Sequence, residues 1–547
     1  MTMSLTTFFL FSGLVLLGCT VFKGMSNRAG IPALLAFILL GMLFGSDGLL
    51  KIPFEDYAFA EQLSTVALVF IMFYGGFGTN WKVAKPVAAV SIVLSSVGTV
   101  LTALLVGAFC HWVLGMPILE GLLCGALLSS TDAASVFSIL RSRNLALKEN
   151  TDSLLEVESG SNDPFAYMLT VVLLTAMQGS ITVGGVGLVL AQQLFLGLLC
   201  GFGIGYVARK LIAHYPTDSV ETSTIFIVAV ALFSYGIPLA IGGNGFLSVY
   251  IVGILLGNSD IELRPSLVPF FDGITGIMQA VLFFLLGFLV SPSRVFAVWA
   301  PALGIALFLT LVARPLAVHL LMLPFGGSER RRHLVSFSGL RGAASVVFAI
   351  MAVIAPVAME NDLFHIVFGV VLFSIAIQGS LLPFFAKRLG MIDEGGNVLK
   401  TFTDYVDETP VNFIQFKVEE GHSWCGKCVK DITLPPGSIL VHLRRHGYRI
   451  VPKGDTILEA GDVLILCALE EGAVPNIHLV EKIIEKEDMV PNMTLSDFPC
   501  RPNSLIVLVQ RGHDYIIPDG GTVLREGDKL LINHTPDGPQ KCATANG

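Results

Sequence analysis

The sequence predicts an all-α polytopic membrane domain of about thirteen transmembrane helices, with inverted repeats and discontinuous helices, followed by a small cytoplasmic α+β domain. Two observations predict the first part. Of 547 residues, 53% are hydrophobic and only 14% charged, which lies outside the range of soluble globular chains. The apolar residues also gather into runs long enough to cross a hydrocarbon core of about 30 Å. A third observation predicts the second part: after Gly390 the runs shorten to strand length and are interrupted by charges, Pro and Gly.

Taken in order, the apolar runs place spans near 6–23, 31–46, 59–79, 87–109, 118–140, 156–178, 184–207, 222–241, 243–257, 273–291, 297–319, 335–356 and 363–386. Lys and Arg then fall in alternate loops: Lys82 and Lys85, Arg141, Arg143 and Lys148, Arg209 and Lys210, and Arg330 to Arg332 all lie on one side. Basic residues accumulate in cytoplasmic loops, so the N-terminus is expected outside and the C-terminus in the cytoplasm, as in a multi-pass protein of a bacterial inner membrane. The opening segment has no basic flank and no small-residue cleavage signal, and reads as a retained first span. Nine scattered cysteines show no paired framework, and a net charge of -8 without a basic stripe gives no sign of nucleic-acid binding.

The spans themselves are Leu, Val, Ala, Gly and Phe, except at three places. The fifth contains "SSTDAAS", with Thr131 and Asp132; the sixth carries Glu158, Ser159, Asn162 and Asp163; the twelfth contains "SGLRGAAS", with Arg341. A charge at mid-bilayer costs roughly 2.5–3.5 kcal/mol on insertion scales, so each needs a reason. For Glu158 and Arg341 the plain reason is a structural ion pair between helices. Asp163 fits that reason less well, because Glu158 already claims the arginine. Ser159 and Asp163 are four apart and share a helix face, with Glu158 and Asn162 on the neighbouring one. Pro164 follows and removes the amide that would bond the Gly160 carbonyl. A carboxylate, a hydroxyl and a spare carbonyl make a hard-oxygen site for a small cation.

"SSTDAAS" and "SGLRGAAS" each surround a charge with small residues, seven spans apart, as two discontinuous helices in corresponding positions of an inverted repeat would. Broken helices expose amide ends and carbonyl ends at the midplane. Asp132 and Arg341 are suited to neutralise these ends, leaving backbone oxygens beside Thr131 to face the ion.

The tail repeats itself. "SILVHLRRHGYRIVPKGDTILEAGDVLIL" (438–466) aligns without a gap on "SLIVLVQRGHDYIIPDGGTVLREGDKLLI" (504–532), each copy reading as strand, turn, strand, "GD" turn, strand. Between them, 476–489 has helical spacing of apolar residues. The expected division is 1–390 for the membrane domain, 391–490 for a first soluble domain, and 491–547 for a second β-rich repeat unit and tail. "WCGKC" (Trp424 to Cys428) has the spacing of a thiol redox site, but the following "VKDITLPPGSIL" promises a turn and a strand rather than the helix that would activate the first thiol.

The motifs "TD", "ES..ND" and "GLRGA", with "NGFLSVYIVGILLGN" (244–258), resemble those of NhaP-type transporters in the monovalent cation:proton antiporter family. The tail is similar to the C-terminal subdomain of regulators of potassium conductance, a pairing of the potassium/proton branch. The resemblance implies that Asp163 carries cation and proton in turn, that Ser159 and the Thr131 region complete the coordination, and that Asp132 balances helix ends while Glu158 and Arg341 hold the core. It implies a homodimer, and electroneutral exchange because Asn162 stands where electrogenic relatives have an aspartate. The substrates are then K+, or else Na+, and H+, with no cofactor, no resident metal, no covalent chemistry and room for a small ligand on the tail. Gly160 and Ser161 depart from the bulkier apolar residues usual inside "ES..ND", and "FYGGFG" (73–78) lacks an acid that some relatives carry.

Withdrawal from water favours the neutral form of a carboxylic acid, so a proton and a cation compete for Asp163, and the site crosses the membrane only when loaded with one of them. The rival readings are a cation channel gated by the tail, for which no carbonyl filter loop or charged ring is found, and a sensor acting through "WCGKC".

Overall fold

The computed structural model describes residues 5–29, 32–54, 56–142, 145–179, 183–214, 219–259, 264–393, 411–419, 422–434, 438–445, 448–450, 452–469, 479–484, 494, 504–511, 514–516, 518 and 521–534. The chain divides into two units, Met1–Val406 and Asp407–Gly547.

The first unit is helical: α1 (Leu5–Ala29), α2 (Ala33–Phe44), α3 (Tyr57–Gly78), α4 (Trp81–Val93), α5 (Thr99–Trp112), α6 (Ile118–Leu127), α7 (Ala133–Ser142), α8 (Thr151–Met177), α9 (Val183–His214), α10 (Val220–Ala240), α11 (Gly245–Gly257), α12 (Arg264–Leu289), α13 (Pro292–Ala297), α14 (Trp299–Phe308), α15 (Arg314–Met322), α16 (Glu329–Phe337), α17 (Ala343–Ile354), α18 (Leu363–Phe373) and α19 (Ser380–Arg388). Wider π turns at Leu94–Gly98, Leu309–Ala313 and Ser374–Gly379 join α4 to α5, α14 to α15 and α18 to α19 into continuous rods. Among the described residues, eight helices are long and apolar enough to cross a membrane, and four shorter apolar ones accompany them. Every apolar run expected as a span falls on a helix.

Two of those runs are broken. The fifth expected span divides into α6 and α7 around residues 128–132, and the twelfth into α16 and α17 around 338–342. These are the two positions where small residues flank a charge. A short antiparallel pair, β1 (Ala146–Leu147) with β2 (Ile392–Asp393), ties the α7–α8 connection to the chain after α19.

The second unit holds two four-stranded antiparallel sheets of one topology. The first comprises β3 (Val411–Lys417), β4 (Ser438–Arg445), β5 (Tyr448–Ile450) and β6 (Val463–Leu469), in the order β3-β6-β4-β5. The second comprises β7 (Leu479–Ile483), β8 (Ser504–Arg511), β9 (Asp514–Ile516) and β10 (Lys529–His534), in the order β7-β10-β8-β9. Each covers a small apolar core, one of them around Leu443, Leu458 and Leu464, the other around Val509, Leu524 and Leu530.

The helix expected over 476–489 is corrected here: its described residues form β7, which pairs along β10 from Leu479 opposite Asn533 to Ile483 opposite Lys529. Apolar residues at 479 and 483 share a face in a helix and in a strand alike, and the free edge of β10 decides between them. The "WCGKC" loop is a turn, followed by a single 3₁₀ turn, Val429–Asp431, rather than by an activating helix.

Candidate functional site

The two breaks meet. The amide of Asp132 donates to the carbonyl of Leu340 at 2.8 Å, a backbone hydrogen bond between one break and the other. Each break carries a charge that serves a helix end. Asp132 stands just before α7, and its carboxylate accepts the Ser135 amide at 3.2 Å and the Ser135 hydroxyl, as a capping acid should. Arg341 is fully buried, and its guanidinium donates at 2.6 Å to the carbonyl of Ser130, on the chain that leaves the carbonyl end of α6. The Arg341 amide is held in turn by the hydroxyl of Ser374, in the π turn between α18 and α19, at 3.0 Å. Gly342 is required at this crossing, because a Cβ there would overlap the Asp132 carboxylate.

Against the crossing lies α8, which runs through Pro164 without a break. Ser159 donates its hydroxyl to the Thr131 carbonyl at 2.7 Å, and the Asn162 amide donates to the Thr131 hydroxyl at 2.6 Å. The hydroxyl of Ser130 donates to Asp163. The structure therefore brings Thr131, Asp132, Ser159, Asn162 and Asp163 together. Asn162 and Ser159 are buried, while Asp163 and Asp132 keep partial exposure. Among the described residues, the side-chain oxygen of Asn162 is buried without a hydrogen-bond donor.

One expected contact is corrected. The carboxylate of Glu158 is paired by Arg314, at 2.6 Å, and not by Arg341; both partners are almost wholly buried. Arg341 remains within electrostatic reach of both Arg314 and Glu158, but its guanidinium hydrogen-bonds the backbone carbonyl of Ser130. Arg314 is the residue that the sequence reading missed. The signal was there: "LVARPLAV" places an arginine inside an apolar helical run, Trp299–Phe325, and follows it with proline.

Three further residues come from the stretch 244–258, which the sequence singled out without a role for any one side chain. Asn244 caps α11 through the Leu247 amide at 3.0 Å and donates to the Pro164 carbonyl at 2.8 Å, fastening α8 beside the site. Tyr250 packs its ring on Gly160, in space that any Cβ at that position would occupy. This gives the physical reason for glycine inside "ES..ND". At the far end of α11, Asn258 accepts the Trp81 amide and donates to the Thr79 carbonyl, each at 2.8 Å, closing the α3–α4 corner.

Two broken helices thus cross against α8, with one acid capping a helix, one paired by an arginine and one held by a hydroxyl. The model of the family described as sodium/hydrogen exchanger, transmembrane, matches residues 13–388. The chain belongs to this family. It is a cation/proton antiporter, a multi-pass membrane protein that carries its substrates. The TrkA-C domain model matches this exchanger twice, over 413–473 and 479–538, one match for each tail sheet. A K(+)/H(+) antiporter NhaP2 of Shewanella sp. (strain ANA-3) is 34% identical over 495 residues, covering 89% of this exchanger and 85% of that protein. A K(+)/H(+) antiporter NhaP of Alkalimonas amylolytica is 33% identical over 490 residues, covering 86% and 82%. Among solved structures, the sodium proton antiporter MjNhaP1 from Methanocaldococcus jannaschii at pH 8 superposes with a TM-score of 0.62 at 24% identity, over 71% of this exchanger and 99% of that chain, and shows the same fold.

Proposed function

We propose that this antiporter exchanges K+ for H+, electroneutrally, by competition at Asp163. The observation that carries the reading is the unequal treatment of three neighbouring acids. Glu158 is neutralised by Arg314 and Asp132 is spent on the amide end of α7, whereas Asp163 meets the Ser130 hydroxyl at the crossing of the breaks. An acid without a fixed counter-charge needs either a proton or a cation to become neutral. The hydroxyls of Ser159 and Thr131, the Thr131 carbonyl and the unpartnered Asn162 oxygen supply the hard oxygens that a monovalent cation takes. Asn162, a neutral side chain, leaves one charge at the site, so each cycle moves one cation against one proton.

Potassium is favoured over sodium by the names of the relatives that align over most of the chain. Alternation of Lys and Arg among the loops supports an outside N-terminus and a cytoplasmic tail in the inner membrane of a bacterium. A homodimeric assembly and a small ligand on the tail rest on family resemblance.

The test is proton flux in everted vesicles, with one cation added at a time across a range of pH. K+ is expected to dissipate an imposed proton gradient at a rate indifferent to membrane potential, with Na+ weaker. Asp163→Asn should reduce the flux to background while the protein still folds. Undiminished exchange in that variant, or a gradient that neither cation dissipates, would refute the reading.

A further inference from the structure

We propose that His319, Glu329 and His333 form a binding site for a divalent transition-metal ion of the zinc class, clipping α15 to α16. The three side chains flank the hairpin that joins the rod ending at Phe325 to α16, the first half of the broken twelfth run. One ligand atom from each lies within 4.8 Å of the other two. Glu329 and His333 are four apart in α16 and project from one face, and His319 reaches them from α15.

Three details go beyond proximity. The Nδ1 of His319 contacts the Pro315 carbonyl at 2.9 Å. A carbonyl only accepts, so Nδ1 carries a proton, and in the neutral ring Nε2 then holds the lone pair, the arrangement that metal-bound histidines adopt. That Nε2 faces Oε2 of Glu329 at 3.7 Å, close to the separation of about 3.4 Å between two ligands of a tetrahedral zinc ion with bonds of about 2.1 Å. The other Glu329 oxygen is held by Arg332, which fixes the carboxylate and leaves Oε2 for the ion. The remaining arginines of this run are turned elsewhere: Arg331 acts on Glu149 and Asp152, and Arg330 lies near Gly390.

Two imidazoles and a carboxylate with positions open to water suit zinc, nickel or copper better than Mg2+ or Ca2+, which take all-oxygen sets. The ion would join two segments that lead to the transport site, since α15 begins at Arg314 and α16 runs into the break that carries Arg341.

The experiment is equilibrium Zn2+ binding to the purified full-length antiporter. It is made in a Cys425→Ser, Cys428→Ser background so that the tail thiols do not contribute. One Zn2+ per chain is expected, with Mg2+ and Ca2+ failing to compete at equal concentration. His319→Gln with His333→Gln should weaken that site by about 100-fold or more, since outer partners alone contribute about 10- to 100-fold, and the metal-free melting curve of the variant shows whether it folds. Single His319→Gln, which keeps two ligands, should fall between. Zn2+ stoichiometry and affinity unchanged by the paired substitution, no saturable binding at all, or equal binding of Ca2+ would each overturn the proposal.

Discussion

The molecule contains two pairs of related segments, and the pairs have been treated in opposite ways. In the tail, the copies keep one chemistry. Arg445 grips Asp462 through Nε and Nη2 at 2.7 Å each, and Arg511 grips Asp528 in the same way at 2.8 and 2.7 Å. Each arginine also donates to the carbonyl of a strand-like residue, Ile457 or Val523, and each aspartate accepts a backbone amide three residues before it. In the membrane unit, the breaks share a shape and differ in charge: Asp132 serves an amide end, Arg341 a carbonyl end. The tail copies each close the same turn, so identical parts suffice. Two crossed breaks expose one set of ends of each sign at the same place, and only opposite charges serve both.

Breaking this comparison begins with the charge that neither break supplies. Arg314→Met would leave Glu158 buried without its partner, a loss of about 3–5 kcal/mol by the usual cost of orphaning a buried ion. Thermal unfolding in detergent measures it, and Arg314→Met with Glu158→Leu should recover a large part. If Arg314→Met melts like the wild type, Arg341 holds Glu158 after all. Next in size is Arg341→Met, which removes a charged donor from the Ser130 carbonyl at a cost of about 1.5–3 kcal/mol and should slow exchange in the same vesicles. Smaller again is the other break: Asp132→Ala should cost about 0.5–2 kcal/mol, whereas Asp132→Asn, which still caps α7, should cost less in stability. Equal losses for Asn and Ala would show that the negative charge matters at this end and the cap does not.

Much of this was legible in the sequence, and the misses have physical reasons. The spans were readable because crossing a bilayer is a requirement on length and composition, and the breaks because small residues around a charge leave a helix weak there. The partner of Glu158 was not, since Arg314 and Arg341 sit in different helices and only packing brings one of them to 2.6 Å. Gly160 looked like a departure from the family pattern until the ring of Tyr250, from α11, occupied its missing side chain. The segment 476–489 carries apolar residues that satisfy two periods at once, and β10 selected the strand.

The smallest expected effect sharpens the tail side of the comparison, where a titration separates fold from function. Burial acts to raise the Asp528 carboxyl, but hydrogen bonds from Arg511 and the Arg525 amide, with the charges of both arginines, outweigh it and hold the group below its ordinary range. A carboxyl whose folded value is depressed adds stability that is fully present above the unfolded value of about 3.9 and is lost as pH falls through the depressed folded value. Hydrogen exchange of the β8 and β10 amides in the full-length protein should therefore show constant protection from neutral pH down to about 4 and a decline below it. Asp528→Asn should be less protected than the wild type at neutral pH, and the gap should narrow as the pH falls through that window. A gap that persists unchanged in acid would mean that the shape of the Asp528 side chain, and not its ionisation, secures the turn.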